Sequence, residues 1–318
     1  MTLAARRIAD AGGMIVKAHA PWAGCKRLLA PRIVELLGPH HAYWEPFAGG
    51  AAVFYAKVPC RIEVLNDLHG DLTNLVRIIA DRKLGPMLYR RLRRTMFCQE
   101  IHADACARLE AERDPLERAY LYFIKLWMSW GGVAGTKRGG HKMSIRYTNS
   151  GGHQATRFHS AVASIPAWRR RLQHATILNT DAFKLIPNIE DAPATVIYVD
   201  APYPDNSVNY EHEFPSLEAE REARARGDDS VKGHIALADL LGRFKRTRIV
   251  ISYYSCPMLD ELYAGWNRHE IEVTKTIAQI AKRQSHRQRA TEVLLVNRQG
   301  DQFGSLFAST RVDDVDNS

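Results

Sequence analysis

Cysteine is scarce and scattered: Cys25, Cys60, Cys98, Cys106 and Cys256 are five thiols in 318 residues, with no Cys-x-x-Cys pair among them. An odd, dispersed set excludes a disulfide framework, and the lack of Cys/His clusters at zinc spacing excludes a structural zinc site. The adjacent histidines His40-His41 read as a loop, and no metal is expected. No apolar run approaches the length of a bilayer span, so no membrane partner is expected. The opening MTLAARRIADAGGMIVKAH carries two arginines but no continuous apolar segment behind them. No secretory signal is therefore expected, and the cytoplasm is the expected location. A Gly-x-Gly-x-x-Gly turn is also missing, which disfavours a nicotinamide cofactor.

What is present is an ordinary globular composition, 46% hydrophobic and 25% charged, with a net charge of +9. The length suits one large core plus a smaller inserted unit. Excess cations point to a polyanionic partner, because clustered Lys and Arg release counterions from a phosphate backbone. The cations are indeed clustered, at Arg90 to Arg94, Lys137-Arg138, Arg169 to Arg171 and Lys282 to Arg289. By contrast, the tail around Val312 to Asp316 is acidic, and residues 301–318 are expected to be disordered.

The chain is organised around Thr195-Val196-Ile197-Tyr198-Val199, a β-branched run that ends in Asp200-Ala201-Pro202-Tyr203-Pro204. The run reads as a buried strand, and its proline-bracketed exit loop lies where open α/β sheets bind ligands. A carboxylate and an aromatic ring held there can grip a planar base, the acid accepting from its exocyclic amine and the ring stacking on its face. Upstream, Tyr43-Trp44 and Glu45-Pro46-Phe47-Ala48-Gly49-Gly50 give a short strand and a glycine turn that lets backbone approach a ligand. The strand Ile62 to Leu65 then runs into Asn66-Asp67, an acid placed where a nucleoside ribose is held.

Residues 85–174 change character, becoming helical and basic around an amphipathic helix from Pro115 to Trp130. The glycine-rich, cation-rimmed loop Gly131 to Gly140 follows, with Trp127, Trp130 and Tyr147 nearby. That loop suits insertion into a nucleic-acid groove. From Thr176 the alternation of strand and helix resumes, through Asp181-Ala182-Phe183, a charged loop or helix over Ser216 to Gly233, a strand at Arg248 to Tyr253 and a final strand at Glu292 to Asn297. The pattern predicts a mixed, mostly parallel α/β sheet with helices on both faces, interrupted once by a mainly helical insertion.

In this order the motifs resemble the Dam-like family of DNA adenine-N6 methyltransferases over residues 17–298. Pro21-Trp22-Ala23-Gly24-Cys25-Lys26-Arg27 resembles the family's Trp-Ala-Gly-Gly-Lys opening, Glu45 to Gly50 its glycine motif, and Asp200-Ala201-Pro202-Tyr203 its catalytic Asp-Pro-Pro-Tyr. The resemblance implies a Rossmann-like methyltransferase domain over residues 17–84 and 175–300, with 85–174 as the target-recognition insertion. It implies S-adenosylmethionine as cofactor, held by Trp22, Ala23, Gly24, Lys26, Glu45, Pro46, Phe47, Gly49, Gly50, Asn66, Asp67, Asp181, Ala182, Phe183 and Asp200. Asp200, Ala201, Pro202 and Tyr203 are implied to be catalytic, with the Ala201 carbonyl as second acceptor for the target amine. Alanine keeps that carbonyl but lacks the fixed φ of proline, worth about 1 kcal/mol of preorganisation. The implied partner is double-stranded DNA, contacted by Arg93, Arg94, Lys137 and Arg138. The implied enzyme is a monomer or weak dimer at the nucleoid of a bacterial or phage-infected cell. A methyltransferase acting on RNA or a protein amide, and a DNA-binding relative without turnover, share the same motif chemistry.

Overall fold

A computed structural model describes residues 18–21, 26–129, 142–145, 147–148, 152–204, 212–274 and 289–297. Trp22, Ala23, Gly24, Cys25, Lys137, Arg138 and the acidic tail lie outside the described residues. At the middle of the sheet, β1 (Ala42–Glu45) and β6 (Thr195–Val199) run parallel, with Ala42 opposite Thr195 and Trp44 opposite Ile197. Beyond β1 come β2 (Ile62–Asn66) and β5 (Thr176–Leu178), both parallel. Beyond β6 come β7 (Arg248–Tyr254), parallel, then β9 (Arg289–Val296) and β8 (Asn267–Thr274), each antiparallel to its neighbour. The seven-stranded order is therefore β5-β2-β1-β6-β7-β9-β8, a Rossmann-like α/β sheet. A small separate hairpin pairs β3 (Tyr147–Thr148) with β4 (Gly152–His153).

The chain leaves β1 toward one edge and returns through β6 toward the other. The carboxyl ends of β1 and β6 thus flank the crevice that the reversal of strand order opens in such sheets. Side chains alternate between two cores, as the strand period of two requires. Val196, Tyr198, Val250, Leu294 and Val296 enter one core, while Ile197, Val199, Ile249, Ile251, Val293 and Leu295 enter the other. All five residues of β6 are buried, as expected of a parallel strand covered on both faces.

The larger core also holds apolar residues of helices Ala30–Leu37, Gly70–Ala80, Leu84–Arg93, Pro115–Met128 and Gln154–Leu172. The helix Pro115–Met128 starts as its sequence demands: Asp114 caps it by accepting from Glu117 N at 2.7 Å, and Pro115 occupies the first turn. Residues 216–233 hold a helix, Leu217–Ala225, capped by Ser216. Its fully buried Glu220 accepts from Gly233 N, Ile235 N and Ala236 N, pinning the start of the helix His234–Gly242.

One basic cluster is not a surface feature throughout. Arg171 turns inward to pair with Glu63, and Arg169 donates to the carbonyl of Asp81, so of that run only Arg170 is left with neither an acid nor a carbonyl partner among the described residues. Buried carboxylates attract the cations that satisfy them, and a run of arginines at a helix end is as able to do so as to meet solvent.

Candidate active site

A cleft of about 300 Å³ opens along the carboxyl ends of β1, β2, β5 and β6. Its walls come from Glu45 to Val53, Asn66 to His69, Thr180 to Phe183, and Tyr198, Asp200 and Pro202. The expected Glu45, Pro46, Phe47, Gly49, Gly50, Asn66, Asp67, Asp181, Ala182, Phe183 and Asp200 all line it, as does Lys26. Segments far apart in sequence meet here because each follows a strand of the same parallel set.

Asn66 ties the walls together. Its Nδ2 donates to Pro46 O and to Thr180 O, each at 2.9 Å, and its Oδ1 accepts from Thr180 N at 3.0 Å. Both amide hydrogens and the carbonyl are thus used in joining three strand-end loops. Asp67 supports the glycine turn, with Oδ2 accepting from Gly49 N at 2.7 Å and Oδ1 from His69 N at 2.8 Å. Burial raises its pKa against those two backbone bonds. Gly49 is left-handed at φ 47°, and so is Ala51 at φ 51°, a conformation that costs a residue with a Cβ about 1 kcal/mol. Asp181 caps the short helix Ala182–Leu185 by accepting from Phe183 N at 2.9 Å. Phe183 in turn faces Phe214, with centroids 5.5 Å apart, and Phe47 meets Phe214 edge-on at 6.0 Å. Three rings in contact therefore form an apolar wall of the cleft beside the acids. Phe214, His212 and Lys232 also line the cleft.

At the other end stands the loop after β6. Asp200 Oδ1 accepts from Ser252 Oγ at 3.0 Å and lies 2.9 Å from Lys26 Nζ. Ser252 in turn meets Tyr198 Oη at 2.9 Å. Asp200 Oδ2 accepts no hydrogen bond among the described residues, so one carboxylate oxygen is held and the other is open. Tyr203 donates its hydroxyl to Glu292 at 2.5 Å, and Lys26 Nζ lies over the Tyr203 ring, 4.8 Å from its centroid. Burial, followed by the charges of Asp200 and Glu292, pushes the Tyr203 phenol well above its ordinary pKa and keeps it a donor. Ala201 is buried in the second core, directly after β6.

Residues 22–277 match the family of D12 class N6 adenine-specific DNA methyltransferases. The chain belongs to that family. It is also similar to the Type II methyltransferase M1.LlaDCHI of Lactococcus lactis subsp. cremoris, 26% identical over 289 residues, a span covering 87% of this chain and 93% of the relative. The chain is thus an adenine-specific DNA methyltransferase, which acts on DNA and needs a methyl donor. Among the described residues of this methyltransferase, no group of His, Cys, Asp and Glu is placed to hold a metal ion. No described helix is long and apolar enough to cross a membrane.

Three further residues at the candidate site are not among the expected site residues. Ser252, Glu292 and Phe214 reach it from positions 52, 89 and 31 residues away from their partners Asp200, Tyr203 and Phe183. The register of β6 against β7 brings in Ser252, that of β7 against β9 brings in Glu292, and Phe214 comes from the chain after residue 211. Of the expected DNA contacts, Arg93 and Arg94 are exposed at the end of helix Leu84–Arg93, free of carboxylate pairing among the described residues. Their neighbour Arg91 is committed to Glu117 and stacks on Tyr120, 3.6 Å from its centroid.

Proposed function

We propose that the cleft binds S-adenosylmethionine and that the loop after β6 receives an adenine extruded from the duplex. The observation that carries this reading is the shared wall: the glycine turn with Asp67 at one end and Asp200 at the other line a single cleft. The residues fit the donor. The wall of Phe47, Phe183 and Phe214 suits a purine face, the Asp67 side suits ribose hydroxyls, and the buried Glu45 carboxyl suits a cation. When bound, that donor supplies an electrophilic methyl group on a sulfonium sulfur.

The protein's part is orientation. Tyr203 stacks on the purine face, while Asp200 Oδ2 and the Ala201 carbonyl accept the two amine hydrogens. Those bonds would orient the N6 lone pair toward the donor's part of the cleft. With the donor bound, Asp200 would take up the proton that N6 sheds on accepting the methyl group. The rate comes mainly from holding two reactants in line, with no covalent intermediate on the enzyme. Residues 85–174, with Arg93, Arg94, Lys137 and Arg138, contact the duplex.

Extrusion has an optical test. The target site is found by mapping N6-methyladenine in DNA from cells that express the chain. A duplex carrying 2-aminopurine in place of that adenine should brighten when the protein binds, because the base leaves its stack. Unchanged emission at saturating protein would refute the reading.

Glu45 supplies a second test. Burial raises its pKa from 4.5 to about 8, against the hydrogen bond that Tyr43 donates at 2.8 Å, with Asp200 and Asp67 adding to the rise. The folded protein therefore holds a proton that the unfolded chain has released, and the empty fold loses stability as pH climbs from about 4.5 toward 8. Glu45→Gln should raise Tm at pH 8 and flatten its decline with pH. It should also weaken donor binding, and remove the gain in sulfonium affinity that wild type shows as pH rises through 8, measured by titration calorimetry against the uncharged S-adenosylhomocysteine. Equal pH profiles for the two ligands in wild type would contradict the placement of Glu45 beside the cation.

A further inference from the structure

We propose that Glu292 is a positioning residue for both catalytic groups, holding Tyr203 through its hydroxyl and Asp200 through Lys26; the proposal rests on the reading of Asp200 and Tyr203 given above. Glu292 lies in β9, outside the strand-exit loops of the parallel set. It reaches the site because β9 runs antiparallel to β7, so that residues near the start of β9 lie level with the end of β7, Glu292 opposite Tyr254. Tyr254 presents its ring edge-on to Tyr203 at 4.7 Å, and Glu292 accepts the Tyr203 hydroxyl at 2.5 Å. The ring is thereby fixed at two points, its edge and its hydroxyl.

The second arm runs through Lys26, whose ammonium lies 2.9 Å from Asp200 Oδ1 and 3.4 Å from Glu292 Oε1. Both Lys26 and Glu292 are nearly excluded from solvent, with side chains 6% and 4% exposed. A single cation between two carboxylates draws them to a common point, at a strength that solvent does little to screen. With Ser252 on the same oxygen, this bridge fixes the carboxylate plane and leaves Asp200 Oδ2 facing the incoming amine. Tyr203 and Asp200 are three residues apart on an exit loop, and loops by themselves hold side chains loosely. Glu292 supplies from the sheet the rigidity that the loop lacks.

Removal of that support has a specific kinetic signature. Glu292→Ala should lower kcat for labelled-methyl transfer to plasmid DNA by about 10–100-fold, the cost of a small misplacement of reacting groups. Its affinity for S-adenosylmethionine should stay near that of wild type, because Glu292 does not line the donor's part of the cleft. Glu292→Gln keeps a carbonyl for the Tyr203 hydroxyl and should recover much of the loss. Tyr203→Phe removes the same hydrogen bond from the other side, so the costs of Glu292→Ala and Tyr203→Phe should combine to less than their product. Thermal melting of each variant separates misfolding from mispositioning, with Glu292→Gln as the variant that preserves shape.

Several results would overturn the proposal: kcat within twofold of wild type in Glu292→Ala, fully multiplicative losses in the double variant, or equal losses in Glu292→Ala and Glu292→Gln. Asp200→Ala serves as the control. Full activity there would remove the underlying reading of the site, whereas an inactive Asp200→Ala beside a normal Glu292→Ala would remove only the role of Glu292.

Discussion

Asp200→Ala is expected to lower methyl transfer by roughly 10³-fold while leaving donor binding close to wild type. In the proposed reading Asp200 holds the open acceptor of the site, and its loss removes the group proposed to orient the amine and take its proton. The proposed donor site lies mainly elsewhere, at the glycine turn, Asp67 and the wall of Phe47, Phe183 and Phe214. Lys26 keeps Glu292 as a partner 3.4 Å away, so the variant leaves no unpaired buried cation and should fold. Asp200→Asn sharpens the test, because it preserves volume and loses charge; it should remain strongly impaired. Transfer by Asp200→Ala at a tenth of the wild-type rate or better would place the chemistry elsewhere.

Glu63→Ala is expected to destabilise the fold by about 3–5 kcal/mol without altering the chemistry of the site. Glu63 and Lys57 have side chains 1% exposed, and Arg171 completes the group with a side chain 10% exposed. Arg171 Nη2 donates to Glu63 Oε1 at 2.7 Å and to Phe54 O at 3.1 Å, while Lys57 Nζ also meets Val58 O at 3.0 Å. Deleting the carboxylate leaves two cations in the interior with only carbonyls, the Cys60 sulfur and the rings of Tyr43 and Phe54 to stabilise them among the described residues. Denaturant unfolding should show the loss as a lower midpoint with an unchanged slope.

The same triad predicts an acid limb in the stability profile. Burial raises the pKa of Glu63, but the hydrogen bonds and charges of Arg171 and Lys57 outweigh it and hold the carboxyl below its ordinary value. A depressed carboxyl stabilises the fold above its unfolded pKa, about 4.3, and that contribution disappears as pH falls through the folded value. Glu63→Gln should therefore flatten the decline of Tm below pH 4.3. Stability unchanged in Glu63→Ala would show that the cations find other partners.

These two predictions divide what was legible in the sequence from what was not. The strand Thr195–Val199 is read to the residue, because an unbroken β-branched run closed by Asp200-Ala201-Pro202 has no helical reading. The ligand-facing ends of β1, β2 and β5 are equally legible, since each strand runs into a turn of Gly, Asn or Asp. The glycine turn is legible in place but not in form. Gly49-Gly50 draws attention to glycine, whereas the second left-handed residue is Ala51.

Long-range pairing is what sequence patterns miss. Arg169 to Arg171 looks like a run of surface cations, yet Arg171 lies 108 residues from the Glu63 that binds it. Glu292 looks like an ordinary polar residue at a strand start, and only the antiparallel register against Tyr254 carries it to Tyr203. Asn66 looks like a ligand contact, and its hydrogen bonds to Pro46 and Thr180 reveal a joint between loops. Local pattern locates the strands and their exits; the sheet order decides which of those exits face one another.

A structure of the protein with its duplex target and a non-transferring analogue of the sulfonium donor tests the central claim most directly. The account predicts one adenine turned out of the helix, its face on Tyr203, its N6 within hydrogen-bond distance of Asp200 Oδ2 and the Ala201 carbonyl, and the analogue in the cleft beside Gly49 and Asp67. An adenine still paired in the duplex, or an N6 remote from Asp200 with the analogue bound, would contradict it.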